Sequence, residues 1–359
     1  MSRLLRPLLP LALVLLCAPV TAAFTPAQIS VQAEGEGLIR LEASGIWPDT
    51  CTPQLLETLV QAHDIVLSAT REEAGCSPIP SPYALATGPF DPAVLAPDGG
   101  IQRIRVLVDG ANGGAPILAG CTLMALDGMG NQAAMETGFW WAEQGGEFGA
   151  GPGLGLSVES QAGLVSLSVM GYDAHGAATW HFGAGELAHG SARFDLGRFD
   201  GGAGPFAQYA APAAMRFSGT VDLEVLTPAR AILWFSRLRS EHEGLELRPL
   251  SIVRFHFAQE PGEALLGRWL IASEEPRARA TRWFEWIESR VSEHGFVLLD
   301  ATGNARLECE TPAGRPSSPP IICRLDDGDA DRIEFTDVGL RRLSGWDAQA
   351  RHTLAIRLD

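Results

Sequence analysis

Residues 164–176 read Leu-Val-Ser-Leu-Ser-Val-Met-Gly-Tyr-Asp-Ala-His-Gly. Val165, Leu167 and Val169 alternate with Ser166 and Ser168, the period of two that sends successive side chains to opposite faces of a strand. The run then enters Asp173-Ala-His-Gly176, where Asp bonds the local backbone and Gly accepts positive φ, as a hairpin turn requires. The same grammar returns at Val297-Leu-Leu-Asp-Ala-Thr-Gly303. Two equivalent hairpins are therefore expected, and a β-meander is the simplest chain path that carries both.

Alternation of this kind continues outward. Val253, Phe255 and Phe257 alternate with Arg254 and His256, and Leu354, Ile356 and Leu358 alternate with Ala355 and Arg357. The larger apolar set of each run is expected to face a core, and the last run makes the C-terminus a paired strand. Ser273 to Arg282 is charged and irregular and reads as a loop. Toward the N-terminus, Leu38-Ile-Arg-Leu, His63 to Ala69, Ile104 to Val108 and Cys121 to Leu126 are short β-type runs between Gly, Pro and Asp clusters. Thr52 to Gln61 is ambiguous, because Thr52 suits a helix cap and Pro53 a first helical turn.

Composition agrees with many short elements: the 359 residues include 40 Gly and 24 Pro, and only 19% are charged. The expectation is an all-β protein, with an N-terminal immunoglobulin-like sandwich at 24–130 followed by an antiparallel β-meander, barrel or sandwich, at 131–359.

The first 23 residues read as a cleaved signal peptide. Arg3 and Arg6 precede an apolar stretch, Pro7 to Val20, too short to span a bilayer, and Thr21-Ala-Ala23 supplies small residues for cleavage. A lipoprotein reading would acylate Cys17, but Leu16 stands where a small residue is needed. The place is then periplasmic or extracellular, in a bacterium, and no later segment is apolar enough for a transmembrane helix.

Five cysteines remain after position 23, and export favours their oxidation. Cys309 and Cys323 flank the Pro/Ser-rich loop Thr311 to Pro320, so they are paired. Cys51 and Cys76 enclose one strand-like unit and form the second pair. Cys121, in Leu118-Ala-Gly-Cys-Thr-Leu-Met124, reads as a small buried strand residue rather than a nucleophile.

All 27 basic Lys/Arg positions are arginine. Without a lysine amine the chain cannot run Schiff-base or pyridoxal chemistry, a Walker-type phosphate loop, a protein-kinase site or a Ser-x-x-Lys acyl enzyme. A net charge of −16, which loss of Arg3 and Arg6 takes to −18, disfavours nucleic acid and anionic membrane surfaces as partners. The eight histidines show no His-Glu-x-x-His spacing, and there is no Gly-x-Ser-x-Gly elbow. Asp327-Gly-Asp-Ala-Asp331 starts like a calcium loop, but Arg332 stands where Gly is required and Val338 where a bidentate Glu belongs, so it reads as a solvated turn. No catalytic residue, metal ligand or cofactor is assigned.

Gly138, Trp140, Trp141, Gly153, Gly155, Gln161, Tyr172, Asp173, Gly176 and Trp180 follow a recognisable order. Over about 45 residues the segment resembles a repeat of uncharacterised secreted proteins of Gram-negative bacteria, of the form G-x-W-W-N-P-x-E-S-G-x-G, a spacer with Q-G, then W-Y-x-Y-D-x-x-G-x-P-x-W. This chain departs from it at Ala142 to Pro152, which is longer and Gly-rich, at Val169 and Met170 in place of Trp-Tyr, and at Ala162 and Ala178. The resemblance implies an exported β protein without an assigned activity.

The aromatic residues offer the one route to a ligand visible in the sequence. Trp140, Trp141 and Trp180 are either core anchors or a platform for a sugar ring. Adjacent Trp140 and Trp141 point to opposite faces of a strand, so one of them is expected to be partly exposed. Thr179 and His181 flank Trp180, which is expected to face inward. Trp283 and Trp286 raise the same choice. The functional expectation is an exported non-catalytic β protein that binds or packs against an envelope or extracellular component, with polysaccharide as a possible partner. A carbohydrate-active enzyme using paired carboxylates, or a carbohydrate-binding module, is the alternative.

Overall fold

The computed structural model describes residues 24–72, 74–96, 100–110, 113–126, 134–143, 154–204, 206–240, 243–274, 279–315, 318–328 and 332–358. The expected signal segment lies outside them. Apart from one helical turn, α1 (Pro92–Leu95), and short 3-10 turns, the named elements are strands.

The first seven are β1 (Thr25–Ala33), β2 (Ile39–Trp47), β3 (Gln54–Gln61), β4 (Asp64–Thr70), β5 (Ser81–Ala86), β6 (Ile101–Val108) and β7 (Ile117–Ala125). They form two layers, β1-β2-β5 against β3-β4-β6-β7. Leu41, Ala43 and Trp47 of the first layer and Ile65, Leu67, Ile104 and Val106 of the second share one core. All pairings are antiparallel except β4–β6. The ambiguous segment at Thr52 is strand β3, which turns into β4 through Ala62 at φ 48°. Cys51 and Cys76 are disulfide-bonded, and so are Cys309 and Cys323.

The meander expected over 131–359 divides into two eight-stranded units. The first contains β8 (Gly138–Ala142), β9 (Gly155–Gln161), β10 (Leu164–Tyr172), β11 (Ala178–Glu186), β12 (Ser191–Gly201), β13 (Pro212–Thr227), β14 (Arg230–Ser240) and β15 (Gly244–Arg254). Strand β15 pairs with both β14 and β8, so the unit closes on itself, and a single further pairing, Gly244 with Leu118, joins β15 to β7. The second unit contains β16 (Gly267–Glu274), β17 (Arg279–Val291), β18 (Gly295–Asp300), β19 (Arg306–Glu310), β20 (Ile322–Asp326), β21 (Ile333–Val338), β22 (Arg342–Asp347) and β23 (His352–Arg357), and it is also a closed barrel. Eight strands leave a lumen that side chains can fill. Trp140, Leu156, Leu167, Phe194 and Leu223 fill the first, and Trp269, Trp286, Phe296, Leu307 and Phe335 the second. An apolar interior is the inverse of the polar lumen of a lipid-facing barrel. Among the described residues no helix is long and apolar enough to cross a membrane.

The two barrels share one closing device. Gly138-x-Trp140 opens the first and Gly267-x-Trp269 the second, with the glycines at φ 130° and 118°. Each indole donates to the carbonyl four residues earlier, Trp140 to Glu136 at 3.0 Å and Trp269 to Leu265 at 2.8 Å. An arginine on the last strand is bonded to main-chain carbonyls near this end: Arg254, opposite Trp140, reaches Phe139 O at 2.7 Å, and Arg357 reaches Ala264 O at 2.6 Å. Gly138 suits its positive φ, and a Cβ there would push the Arg254 guanidinium out of its place. The two Asp-Ala-x-Gly turns also correspond, each joining the third and fourth strands of its barrel. Asp173 Oδ1 accepts from Ala177 N at 3.0 Å, and Asp300 Oδ1 from Ala305 N at 3.0 Å. The chain therefore carries one barrel plan twice, and the expected pair of hairpins is present.

Three expectations need correction. Ser273 to Arg282 is not a loop between the hairpins: Ser273 and Glu274 pair with Ala280 and Arg279 across β16 and β17, and residues 275–278 lie outside the described set. In the last strand the alternation is right but the faces are reversed. Thr353 and Ala355 are fully buried, while Ile356 and Leu358 are exposed. The same reversal affects Phe255 and Phe257, because Arg254 is the residue turned to the barrel end. Inward positions there are taken by small or hydrogen-bonding residues, since the tryptophan already occupies the space.

Candidate functional site

Strands β8 to β13 present a cross-strand row of large apolar side chains, broken at one position, on the outside of the first barrel. Alternation dictates it: Trp140 is 1% exposed in the core, so its neighbours Phe139 and Trp141 point outward. Trp141 lies directly opposite Gly155, Gly155 opposite Met170, and Met170 opposite Trp180. Trp180 stacks on Phe199 with centroids 5.4 Å apart, and Phe199 lies opposite Met215. Six strands at about 4.8 Å spacing make the row roughly 24 Å long. At the other end Trp141 meets Phe255, the residue after β15, at 6.0 Å, and Phe255 contacts Phe257 edge to face at 5.0 Å.

Gly155 interrupts this row and makes its shape. With no side chain there, Trp141, Met170 and Trp180 border a groove of about 560 Å³, floored by Gly155 and Gly171 and edged by Tyr172 and Thr179. In the second barrel the residue after the closing tryptophan is Leu270, and the residue opposite it is Trp283. The position that is open in the first barrel is thus filled by an indole in the second. A Cβ at Gly155 would meet only the Met170 side chain, at 3.4 and 3.9 Å, which is ordinary contact, so sterics do not demand glycine.

Trp180 is 49% exposed, contrary to the inward orientation expected. Its polar neighbours Thr179 and His181 are the half-buried inward residues instead, at a polar barrel end where Arg198 lies 3.9 Å from Asp173 and 3.5 Å from Asp200. Burial, and secondarily the Arg198 charge, holds the His181 imidazole below its ordinary pKa. Of the three candidate tryptophans, Trp141 and Trp180 share the groove. Trp140 lies on the other side of the sheet in the core, and Trp141 is the partly exposed member of the adjacent pair. Met170, Phe199 and Met215 carry no sequence signal as site residues, because strand partners across a barrel are long-range pairings. Gly155, Tyr172 and Trp180 were visible as members of the repeat-like segment, which spans β8 to β11.

Other functional candidates separate cleanly. Cys121 is buried and unpaired in β7, and burial, with Asp222 beside it, pushes its thiol up to about 12, which suits an inert strand residue. Trp286 is in the second core, stacked on Phe284, and Trp283 is exposed. Ser344 Oγ and His352 Nε2 are 2.8 Å apart on neighbouring strands, beside the Trp346 ring. Asp327 forms an ion pair with Arg282, and Asp326 accepts from Gly328 N; residues 329–331 of the calcium-like run lie outside the described residues. Asp49 carboxylate oxygen lies close to the Cys51 and Cys76 sulfurs, but a disulfide has no thiolate for a metal.

No family model matches this chain, and no curated protein or solved structure matches it.

Proposed function

We propose that the protein is an exported, non-catalytic binding protein that holds a polysaccharide of the envelope or exterior on the outer face of its first barrel. The observation that carries this reading is the cross-strand row Trp141, Gly155, Met170 and Trp180 with its open groove. Aromatic faces exposed on a rigid sheet present apolar area at low entropic cost, and the exposed Tyr172 at the groove edge adds a hydroxyl for polar contact. The signal-like N-terminus supports export, as do two disulfides, which persist in oxidising compartments. The resemblance of residues 138–180 to a repeat of secreted proteins fits the same reading, because that segment builds the groove. Catalysis by paired carboxylates has no equivalent geometric support in the groove, where no Asp or Glu is among the described lining residues.

The test is retention of mature protein on insoluble cell-wall and plant polysaccharides, with Trp180→Ala, Trp141→Ala and Gly155→Trp beside wild type. The last variant fills the groove with the side chain found at the corresponding place in the second barrel. Each substitution is expected to lower retention by about tenfold or more while melting curves stay near wild type. Equal retention by all four proteins would refute the proposal.

A further inference from the structure

The groove does not end at Trp141. The same indole also borders a cleft of about 590 Å³ between the two barrels, whose other walls include Phe255, Glu143, Arg315 and Pro319. Arg315 comes from the second barrel, on the loop between Cys309 and Cys323. Two features fix that loop in place. The disulfide ties its ends, and Arg230 of the first barrel donates to Pro319 O. Glu143 is 3.0 Å from Arg230 and 3.1 Å from Arg315, so among the described residues one carboxylate serves both guanidiniums and leaves them an excess of positive charge. Arg230 is buried, whereas Arg315 is open to solvent on one side. A guanidinium offers five N–H donors in a planar fork that matches a carboxylate. A planar donor fork beside a Trp141–Phe255 wall is complementary to a ring that carries an oxyanion.

We infer that the ligand of this surface is a polysaccharide with carboxylated sugar rings, one ring lying on Trp141 and Phe255 with its carboxylate on Arg315. The inference rests on the polysaccharide reading above and adds the ligand's charge and a residue of the second barrel to the site. The chain's net charge of −16 opposes an acidic polymer at long range, but that field is screened beyond about 8 Å at physiological salt, and the local excess at Arg315 acts at contact distance. The geometry gives the second barrel a role: it supplies Arg315, the solvent-open guanidinium beside the Trp141–Phe255 wall.

The experiment compares polygalacturonic acid with its fully methyl-esterified form, which has the same backbone without the charge. Wild type is expected to bind the acid about tenfold more tightly, with the preference fading as salt is raised. Arg315→Gln, a half-buried loop substitution checked by its melting curve, is expected to lose that preference while keeping the ester affinity. Arg315→Lys, which keeps the charge without the fork, is expected to restore part of it. Trp141→Ala is expected to weaken both polymers. If Arg315→Gln binds both polymers as wild type does, while Trp141→Ala loses both, the carboxylate inference is overturned and the polysaccharide reading stands. If wild type retains neither these polymers nor any neutral one, both readings fall. A preference for a phosphate-bearing polymer over the carboxylated one would overturn the assignment of the anion.

Discussion

Replacing Asp222 by Asn is expected to stabilise the protein at neutral pH. Asp222 lies on β13 at the junction of the first barrel with the N-terminal sandwich and is 1% exposed. Its Oδ1 is 3.6 Å from Arg193 Nη1, a weak ion pair, and its Oδ2 has no hydrogen-bond partner among the described residues. Arg193 is engaged elsewhere, donating to Cys121 O of β7 at 2.9 Å. The other nearby cations, Arg103 and Arg105 of β6, are held by Asp64, and Arg103 also lies over the Trp234 ring at 4.2 Å. Burial therefore outweighs the Arg193 charge and pushes the carboxyl from 3.8 up to about 6. A carboxyl with a folded value above its unfolded one favours folding fully below about pH 4. It loses that contribution as the pH rises through about 6. The difference of roughly 2 units corresponds to about 3 kcal/mol at pH 7 and above. Asn removes this cost but leaves a buried amide donor to satisfy, so a net gain of about 1 to 3 kcal/mol is expected at pH 7.5, shrinking to nothing or reversing at pH 4. Urea titrations of wild type and Asp222→Asn at pH 4, 5, 6 and 7.5 measure it. A destabilised variant at pH 7.5, or a difference independent of pH, would refute the account of Asp222 as a buried and poorly compensated charge.

Trp140→Ala empties the centre of the first barrel and leaves the Glu136 carbonyl without its indole donor, so a loss of about 3 to 5 kcal/mol is expected from denaturant unfolding, whereas Trp180→Ala should cost under about 1 kcal/mol. Arg357→Gln takes the guanidinium from Ala264 O in the second barrel's closing device, and a loss of about 1 to 3 kcal/mol in the unfolding of that barrel is the expected result. Replacing Cys309 and Cys323 with Ser opens a loop with a sequence separation of 14 and should lower stability by about 3 kcal/mol in the same assay. Cys121 should resist alkylation at pH 8 in the native state and react only after unfolding, since burial raises its thiol to about 12; rapid labelling of folded protein would contradict its placement.

The local chemistry of the chain was enough to set its all-β class, the two disulfides, the buried unpaired Cys121 and the pair of equivalent hairpins. Each depends on alternation, turn residues or cysteines that bracket a short loop, and such signals act between near neighbours. The closure of 131–359 into two barrels depends on β15 meeting β8 and on β23 meeting β16, pairings between residues about a hundred positions apart. Nothing local marks them. The same limit explains Trp180. Period two showed that Trp180 and its neighbours Thr179 and His181 face opposite ways, and side-chain polarity then assigned the wrong face to each. In the closed barrel Trp140 and its neighbours already fill the lumen, so the inward positions of β11 belong to small and polar residues and the larger rings are left outside. Sequence named Trp141 and Trp180 as candidate ligand contacts. Only the register across β8 to β13 made them one row, turned Gly155 into a groove, and brought Arg315 from a distant loop to its edge.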